Sequence, residues 1–525
     1  MSTSATIERD LPSLFRETAS RHGAMIAIRF AGKDVPFATL DVVSDRVAAG
    51  LATRGVKKGD RIALYCPNSD VFAMIYLGIA KAGATVVPLN LLLKPNEIEY
   101  ILNDAAAAGI VYHEAFAPAV TAFRNNVPSL KTFVHVGAQK SADQDLSFTE
   151  FTAVMADPPR VEFDPADDVV SILYTSGTTG QPKGAMLTHR NLANNTQSVM
   201  EAMCFKPGEE TLLLVLPMFH AFAATAGMLT AMLHGLTLAP VPKFDSVLVA
   251  DTIAQTRATI FLGVPSMFNA LLRLSDEHVA KFASIKYCVS GGAAMPVELM
   301  KRFEQRFGKV IYEGDGPTEC SPVTCVNPIH GARKHASVGL PVPRVAMNIC
   351  DEVGNVLPNN VIGEICVRGP SVMKGYWRRP EDTASSFFGE WFRTGDLGTR
   401  DDDGYFYIVD RIKDMVIVNG MNVYPRKVED VMYQDPRVLE AAVIGEPHDG
   451  HGEIPVAFVV LQPGATATGP EIRKFLAERL GSYEVPRKVF FLDALPKNAA
   501  GKVLKRELRK HGELERGVDS RAQAG

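Results

Sequence analysis

No CxxC pair and no large excess of either charge sign occur in this 525-residue chain. Each absence removes a class of protein. The seven cysteines stand singly at 66, 204, 288, 320, 325, 350 and 366. An odd, dispersed set gives neither a disulfide frame nor a zinc site, and reads as reduced thiols in a cytoplasmic protein. Lys and Arg number 55 against 59 Asp and Glu, a net charge of −4. That leaves no general basic field for nucleic acid or an anionic membrane. The first residues, MSTSATIERD, are polar and lack an apolar h-region, so a secretory signal is not expected. The 42 Gly and 33 Pro are spread along the chain, which excludes collagen-like and low-complexity classes.

What is present is a globular composition, 46% apolar and 22% charged. The length suggests roughly three or four structural units. Residues 211–240 contain no Asp, Glu, Lys or Arg, long enough to span a bilayer. Pro217, His220, His234 and two glycines interrupt the run. It therefore reads as a buried strand (Leu212–Leu216), a turn at Pro217 and a buried helix, with no integral membrane span.

Alternation of short apolar runs with helical stretches dominates the first 320 residues. Arg61–Cys66, Thr85–Pro88, Thr259–Leu262, Tyr287–Ser290 and Val310–Tyr312 have the length of buried strands, and Ala73–Ala82 reads as a helix. Between about 320 and 410, short apolar runs alternate with Gly/Pro/Asp turns, which suggests a β-barrel-like subdomain. From about 411 a new unit begins. Val438–Ile444, Pro455–Leu461 and Lys488–Leu492 read as strands and Pro470–Leu480 as a helix, a compact α+β module. The tail after Arg506 is expected to be solvated. The expected fold class is α/β: a large N-terminal domain (1–412) of layered αβ sheets with a β-rich part, then a small mobile α+β C-terminal domain (413–525).

The most informative string is Tyr174-Thr-Ser-Gly-Thr-Thr-Gly-Gln-Pro-Lys-Gly184, after the apolar strand Val169–Leu173. Three glycines let the backbone turn tightly and aim N–H groups inward. Thr175, Ser176, Thr178 and Thr179 add hydroxyls, and Lys183 adds a cation. That inventory suits a polyphosphate. It is not a Walker A loop, because Gly184 and not Ser or Thr follows the lysine. Glu313-Gly-Asp-Gly-Pro-Thr-Glu-Cys320 follows a strand. Its glycines allow close backbone approach, and Glu319 is a hard oxygen ligand suited to Mg²⁺. Asp396, in Trp391-Phe-Arg-Thr-Gly-Asp-Leu397, has the two oxygens needed to grip a ribose diol.

These strings, with Asp410-Arg-Ile-Lys-Asp-Met415, Ser290-Gly-Gly-Ala-Ala-Met-Pro296 and Leu495-Pro-Lys-Asn-Ala-Ala-Gly-Lys-Val503, occur in the order found in the adenylate-forming superfamily. The chain resembles acyl-CoA synthetases, adenylation domains and luciferases over roughly residues 10–510, and bacterial fatty-acid and aryl-acid CoA ligases most of all. The resemblance implies ATP, Mg²⁺ and coenzyme A beside a carboxylic-acid substrate. It implies nucleotide contacts from Thr175, Ser176, Gly177, Thr178, Thr179, Gly180, Lys183, Gly292, Ala293, Glu313, Gly314, Asp315, Gly316, Thr318, Asp396, Arg411 and Lys502. Glu319 would hold the metal. Lys502, Thr318, Glu319 and Lys183 would be catalytic. His220, Phe222, Gly291 and Pro317 would border the acid, Lys413 would be the hinge between domains, and Gly420 would border the thiol tunnel. One departure stands out: Asp315 occupies a position where the family usually has an aromatic ring that stacks on adenine.

The implied chemistry is adenylation of a carboxylate with release of pyrophosphate, then thioester formation with release of AMP. Residues 217–227 hold no acid to anchor an ammonium, which disfavours an amino acid substrate. A medium- or long-chain fatty acid is the expected substrate, with an aryl or alicyclic acid as the alternative. Two further readings are acyl transfer to a carrier protein and a non-catalytic acid sensor, the second supported by Asp315 alone. The sequence leaves the oligomeric state open, a homodimer among the options.

Overall fold

The computed structural model describes residues 4–175, 181–498 and 501–510. Four sheets organise them. A nine-stranded sheet has a parallel centre built from Ile311–Asp315, Tyr287–Ser290, Ile260–Gly263, Thr211–Leu214 and Thr237–Pro240, in that spatial order. An eight-stranded sheet places Arg61–Tyr65 between Thr85–Pro88 and Gly109–His113 in parallel. It continues through Val169–Thr175 to its antiparallel partner Lys183–Thr188. Such strands are covered on both faces, which is why they read as continuous apolar runs.

The helix Asp70–Lys81 is buried from Phe72 onward, as expected of a helix that is apolar all round. Gly78 makes its packing possible, since a Cβ there would lie 2.4 Å from Cβ of Val47 on the helix Phe37–Ala52. Its last residue, Lys81, is fully buried as a side chain. Its charge is met by Asp41 at 2.5 Å and Asp45 at 2.8 Å.

The charge-free run 211–240 is interior, and no helix among the described residues is long and apolar enough to cross a membrane. Its local structure differs from expectation in two respects. The strand is Thr211–Leu214, one residue earlier at its start and two shorter at its end. The helix beyond Pro217 begins as a π-helix over Phe222–Leu229 and becomes α-helical only at Thr230–His234. A wide π turn is uncommon and tends to mark functional sites.

Residues 346–411 form a five-stranded antiparallel sheet, Ala346–Cys350, Gly363–Arg368, Phe387–Phe388, Trp391–Arg400 and Phe406–Arg411. The C-terminal unit has its own five-stranded sheet, with the long hairpin Val438–His448/Gly452–Leu461 at its heart and the helices Pro425–Met432 and Gly469–Ala477 beside it. The α/β class with a large N-terminal and a small C-terminal domain is therefore the observed one. Two readings need correction. The strand expected to precede Glu313 is Ile311–Asp315 and runs through it, because Ser290 and Glu313 pair across parallel strands. The tail is not solvated immediately after Arg506: Leu508 is fully buried and packs in the C-terminal core with Leu495, Phe458 and Ile444.

Candidate active site

Loops leaving the carboxyl ends of parallel strands are where open α/β sheets bind ligands. Here Tyr287–Ser290 and Ile311–Asp315 are register neighbours. Their loops, Gly291–Pro296 and Gly316–Cys320, thus emerge side by side. The backbone is so close here that only glycine fits at 316, where a Cβ would sit 1.6 Å from the Pro322 carbonyl oxygen. Glu313 braces the two loops from beneath. Its side chain is buried, and Oε1 accepts the Met295 N–H at 2.9 Å. Oε2 is buried with no partner among the described residues. Burial pushes this carboxyl up to about 7.

The hairpin Val169–Thr175/Lys183–Thr188 arrives from the other large sheet and pairs Thr175 with Lys183. Ser176, Gly177, Thr178, Thr179 and Gly180, at its tip, lie outside the described residues. Thr175 and Lys183 themselves join the second loop. The Thr175 hydroxyl donates to Glu319 Oε1 at 3.4 Å, and the Tyr376 hydroxyl donates to the same oxygen at 2.8 Å. Lys183 pairs with Asp382 at 2.6 Å, its ammonium 5.6 Å from the centre of the Tyr376 ring. The segment carrying both new residues is bolted to the hairpin. The Lys374 and Trp377 amides donate to the carbonyls of Met186 and Gly184 at 3.0 and 2.8 Å. Tyr376 and Asp382 are site residues that the sequence does not mark. The string Gly-Tyr-Trp-Arg-Arg-Pro-Glu-Asp has no periodicity and reads as a charged loop, so no local signal marks them.

Asp396 and Arg411 face each other across the antiparallel strands Trp391–Arg400 and Phe406–Arg411. Arg411 Nε donates to Asp396 Oδ1 at 2.8 Å. Lys502 reaches the same place from the small domain, carried on a tight turn. Its N–H donates to Asn498 Oδ1 at 2.9 Å, and Gly501 (φ +80°) abuts Ser266, whose hydroxyl donates to the Gly501 carbonyl at 3.3 Å. Burial, then the Arg411 guanidinium, lowers the Lys502 ammonium to about 8, against the pull of Asp396 and Asp315. Among the described residues its ammonium makes no ion pair. Asp315, at the strand end, is pushed up to about 6 by burial and by Asp396.

Beside this polar cluster a cavity runs between the π-helix and Val199, Met203 and Phe205. His220, Phe222, Gly291, Gly292, Gly314, Asp315, Gly316 and Thr318 also line it; Pro317 and Ala293 do not. Ser290, not singled out from sequence, lines it too, and its buried hydroxyl has no partner among the described residues. Burial, then Lys502, drops the His220 ring to about 4. A ring that weakly basic suits a wall and not a general base. Of the last two candidates, Lys413 borders the cluster, where it feels Arg411 and Asp396 and acts on Lys502, and Gly420 lies away from it. Lys413 sits in the single turn Ile412–Asp414 between the two domains. Gly420 (φ +80°) is the exposed turn of the hairpin Val416–Val418/Met421–Val423, with nothing within 4 Å of where a Cβ would stand.

A cradle of glycine-rich strand ends, a basic and acidic cluster and a lysine delivered by a second domain define an adenylate-forming enzyme. The chain belongs to the AMP-binding enzyme family: residues 15–377 match that family and residues 427–502 match its C-terminal domain. It is 36% identical to a long-chain-fatty-acid–CoA ligase of Bacillus subtilis, over 95% of this chain and 94% of that protein. It is 37% identical to a feruloyl-CoA synthase of an Amycolatopsis species, over 92% of this chain and 95% of that one. The crystal structure of an anthranilate CoA ligase in complex with anthranoyl-AMP superposes with a TM-score of 0.90 at 28% identity, over 98% of this chain and 99% of that chain. The protein is an AMP-forming acid–CoA ligase of this family and acts on ATP and a carboxylic acid.

Proposed function

We propose that this enzyme activates a medium- or long-chain fatty acid and transfers it to coenzyme A. The observation that carries the reading is the convergence of Lys502 with Asp396, Arg411 and Asp315 beside a cavity lined mainly by apolar side chains and glycine, with His220, Ser290 and Thr318 as its other polar residues. In the first half-reaction a carboxylate oxygen attacks the α-phosphorus, and the bond to diphosphate breaks. Lys183 and Lys502 approach the developing negative charge from two domains. The Asp396 carboxylate is oriented by Arg411 and offers its remaining oxygen to a ribose hydroxyl. In the second half-reaction the thiol sulphur attacks the acyl carbonyl and loses its proton, and AMP leaves.

Glu319 is the residue that fits Mg²⁺. Both of its hydrogen bonds fall on Oε1, so Oε2 has no partner among the described residues. A single protein carboxylate beside substrate phosphates is how Mg²⁺ is commonly bound. The ion would neutralise phosphate charge there. For the thiol step we assign Gly420 and its hairpin to the acyl site after a turn at Lys413, which would also withdraw Lys502.

Phe222, Ala226, Val199, Met203 and Phe205 offer hydrocarbon to an alkyl chain. The aryl alternative rests on the Phe222 ring. It lies against Gly291, where a Cβ would be 3.3 Å from Cε1, and so makes one wall of a flat slot. The test is AMP release with ATP, Mg²⁺ and coenzyme A across saturated C2 to C18 acids, benzoate and cinnamate. A maximum between C8 and C18 is expected. A maximum on benzoate or cinnamate replaces the fatty-acid reading by the aryl one. Turnover that needs a phosphopantetheinyl protein in place of coenzyme A overturns the acceptor.

A further inference from the structure

A second cavity, of about 630 Å³, lies on the seam between the two domains and apart from the cluster described above. The large domain contributes Asn269, Leu272 and Arg273 from the end of the helix Pro265–Leu271 and beyond it, and Arg302, Gln305 and Arg306 from the helix Val297–Phe307. The small domain contributes Pro436, Leu439 and Gln462. The Asn269 side-chain amide crosses the seam to the Leu439 carbonyl at 3.3 Å and ties the two walls together.

Three guanidinium groups share this cavity with three side-chain amides, and no carboxylate lines it. In a chain whose net charge is −4, that concentration is local. Arg306 is partly engaged: it donates to the Leu272 carbonyl at 2.6 Å and to the Leu274 carbonyl, and it lies 3.3 Å from the exposed Asp276. Arg273 and Arg302 make no ion pair among the described residues. Arg302 goes further, because its Nε is buried and finds no hydrogen-bond partner there. A buried, unsatisfied donor on a charged group is costly unless a ligand meets it. Guanidinium forks match the paired oxygens of phosphate, and amide N–H groups supply further donors.

We propose that this seam is a binding site for a phosphate-bearing anion, held by Arg273, Arg302 and Arg306 on one side and by Gln462 on the other. Both domains form the walls, so the site is complete only in the arrangement that places Lys502 among Asp315, Asp396 and Arg411. By linkage, an occupant favours that arrangement over one in which the small domain has turned. The site is thus a brake on the turn between half-reactions. Two sources of the same chemistry are at hand during turnover: the diphosphate released in the first step and the phosphates of coenzyme A.

The test uses the full-length chain carrying Lys183→Ala, which weakens anion binding at the catalytic loop, and inorganic diphosphate as the probe in isothermal titration. Saturable binding near one equivalent is expected. Arg273→Gln together with Arg302→Gln should weaken it at least tenfold. Gln462→Glu, which leaves every arginine in place and puts a carboxylate on the opposite wall, should weaken it at least fivefold. No saturable heat, or equal affinity in the double arginine variant, overturns the site. Equal affinity in Gln462→Glu overturns its interdomain character and with it the brake. A parallel titration with coenzyme A and with dephospho-coenzyme A separates the sources. Tighter binding of diphosphate than of either assigns the site to the product, and tighter binding of coenzyme A than of its dephospho form assigns it to the 3′-phosphate.

Discussion

Glu313 shows how one buried carboxyl sets both geometry and pH response. Its Oε1 holds the Met295 amide, and thereby the 291–296 loop, while Oε2 has no partner among the described residues. An acid raised from 4.5 to about 7 takes up a proton on folding between those values. Stability therefore falls as pH climbs through that window and levels off above it. Glu313→Gln keeps an acceptor for Met295 and removes the ionisation. Its melting temperature should exceed that of the parent at pH 8, by the equivalent of about 3 kcal/mol, with the advantage shrinking toward pH 5. Equal melting temperatures at both pH values would exclude a buried, ionising Glu313. Lys502 carries the opposite sign. Its ammonium is lost as pH rises through about 8, so adenylate formation should decline above that value. Lys502→Arg, which stays charged, should move the decline upward by a unit or more in a pH–rate profile of ATP–pyrophosphate exchange.

At the scale of elements, the short strand Gly375–Tyr376 and the helix Pro380–Ser385 place two side chains against the hairpin Val169–Thr175/Lys183–Thr188. Asp382 neutralises Lys183 at 2.6 Å. In the proposed role Lys183 leaves Asp382 for the nucleotide phosphates, which costs binding energy. Asp382→Asn should tighten ATP binding roughly three- to tenfold, a partly buried ion pair being the interaction given up. In a Lys183→Ala background the same substitution should change nothing, and calorimetric titration of all four proteins checks the coupling. Tyr376→Phe removes the 2.8 Å bond to Glu319. It should raise the Mg²⁺ concentration needed for half-maximal exchange while leaving the KM for the acid unchanged. Neither residue was legible in the sequence: Tyr376 owes its place to antiparallel pairing with Ala185 about 190 positions away, and Asp382 to the helix that follows, which brings it to Lys183.

At the scale of the whole molecule, Lys183 and Lys502 belong to different domains. The small domain is held in place by contacts such as Ser266 to Gly501 and Asn269 to Leu439. Beside the proposed hinge, Arg426 is held more firmly, its amide donating to Asp410 at 2.8 Å and its guanidinium to the Ile408 carbonyl at 2.7 Å, whereas the two 3.3 Å bonds farther out suit a surface that must separate. Lys502→Ala should lower adenylate formation by roughly a hundredfold or more and largely spare thioester formation from supplied acyl-AMP. Lys413→Pro, in the turn Ile412–Asp414, restricts backbone rotation and should do the reverse. Single-turnover measurement of each half-reaction distinguishes the two, and equal loss of both steps in both variants would remove the domain turn from the mechanism.

The sequence by itself determined the α/β class, the two-domain order and the strings that build the site. These depend on local physics: apolar runs of strand length, glycines at crowded positions such as 316, and hydroxyls and lysines in turns. It also indicated that the charge-free run 211–240 is interior, since Pro217 and two histidines spoil a membrane span. It missed the π-helical start of that run, because a π turn differs from an α turn by one hydrogen-bond step and has no compositional mark. Only tertiary structure turned Glu313 inward, paired Asp396 with Arg411, brought Tyr376 and Asp382 to Glu319 and Lys183, and laid three arginines along a seam between domains. Those outcomes depend on strand register and domain docking, in which residues far apart in the chain meet and the charge of one sets the proton affinity of another.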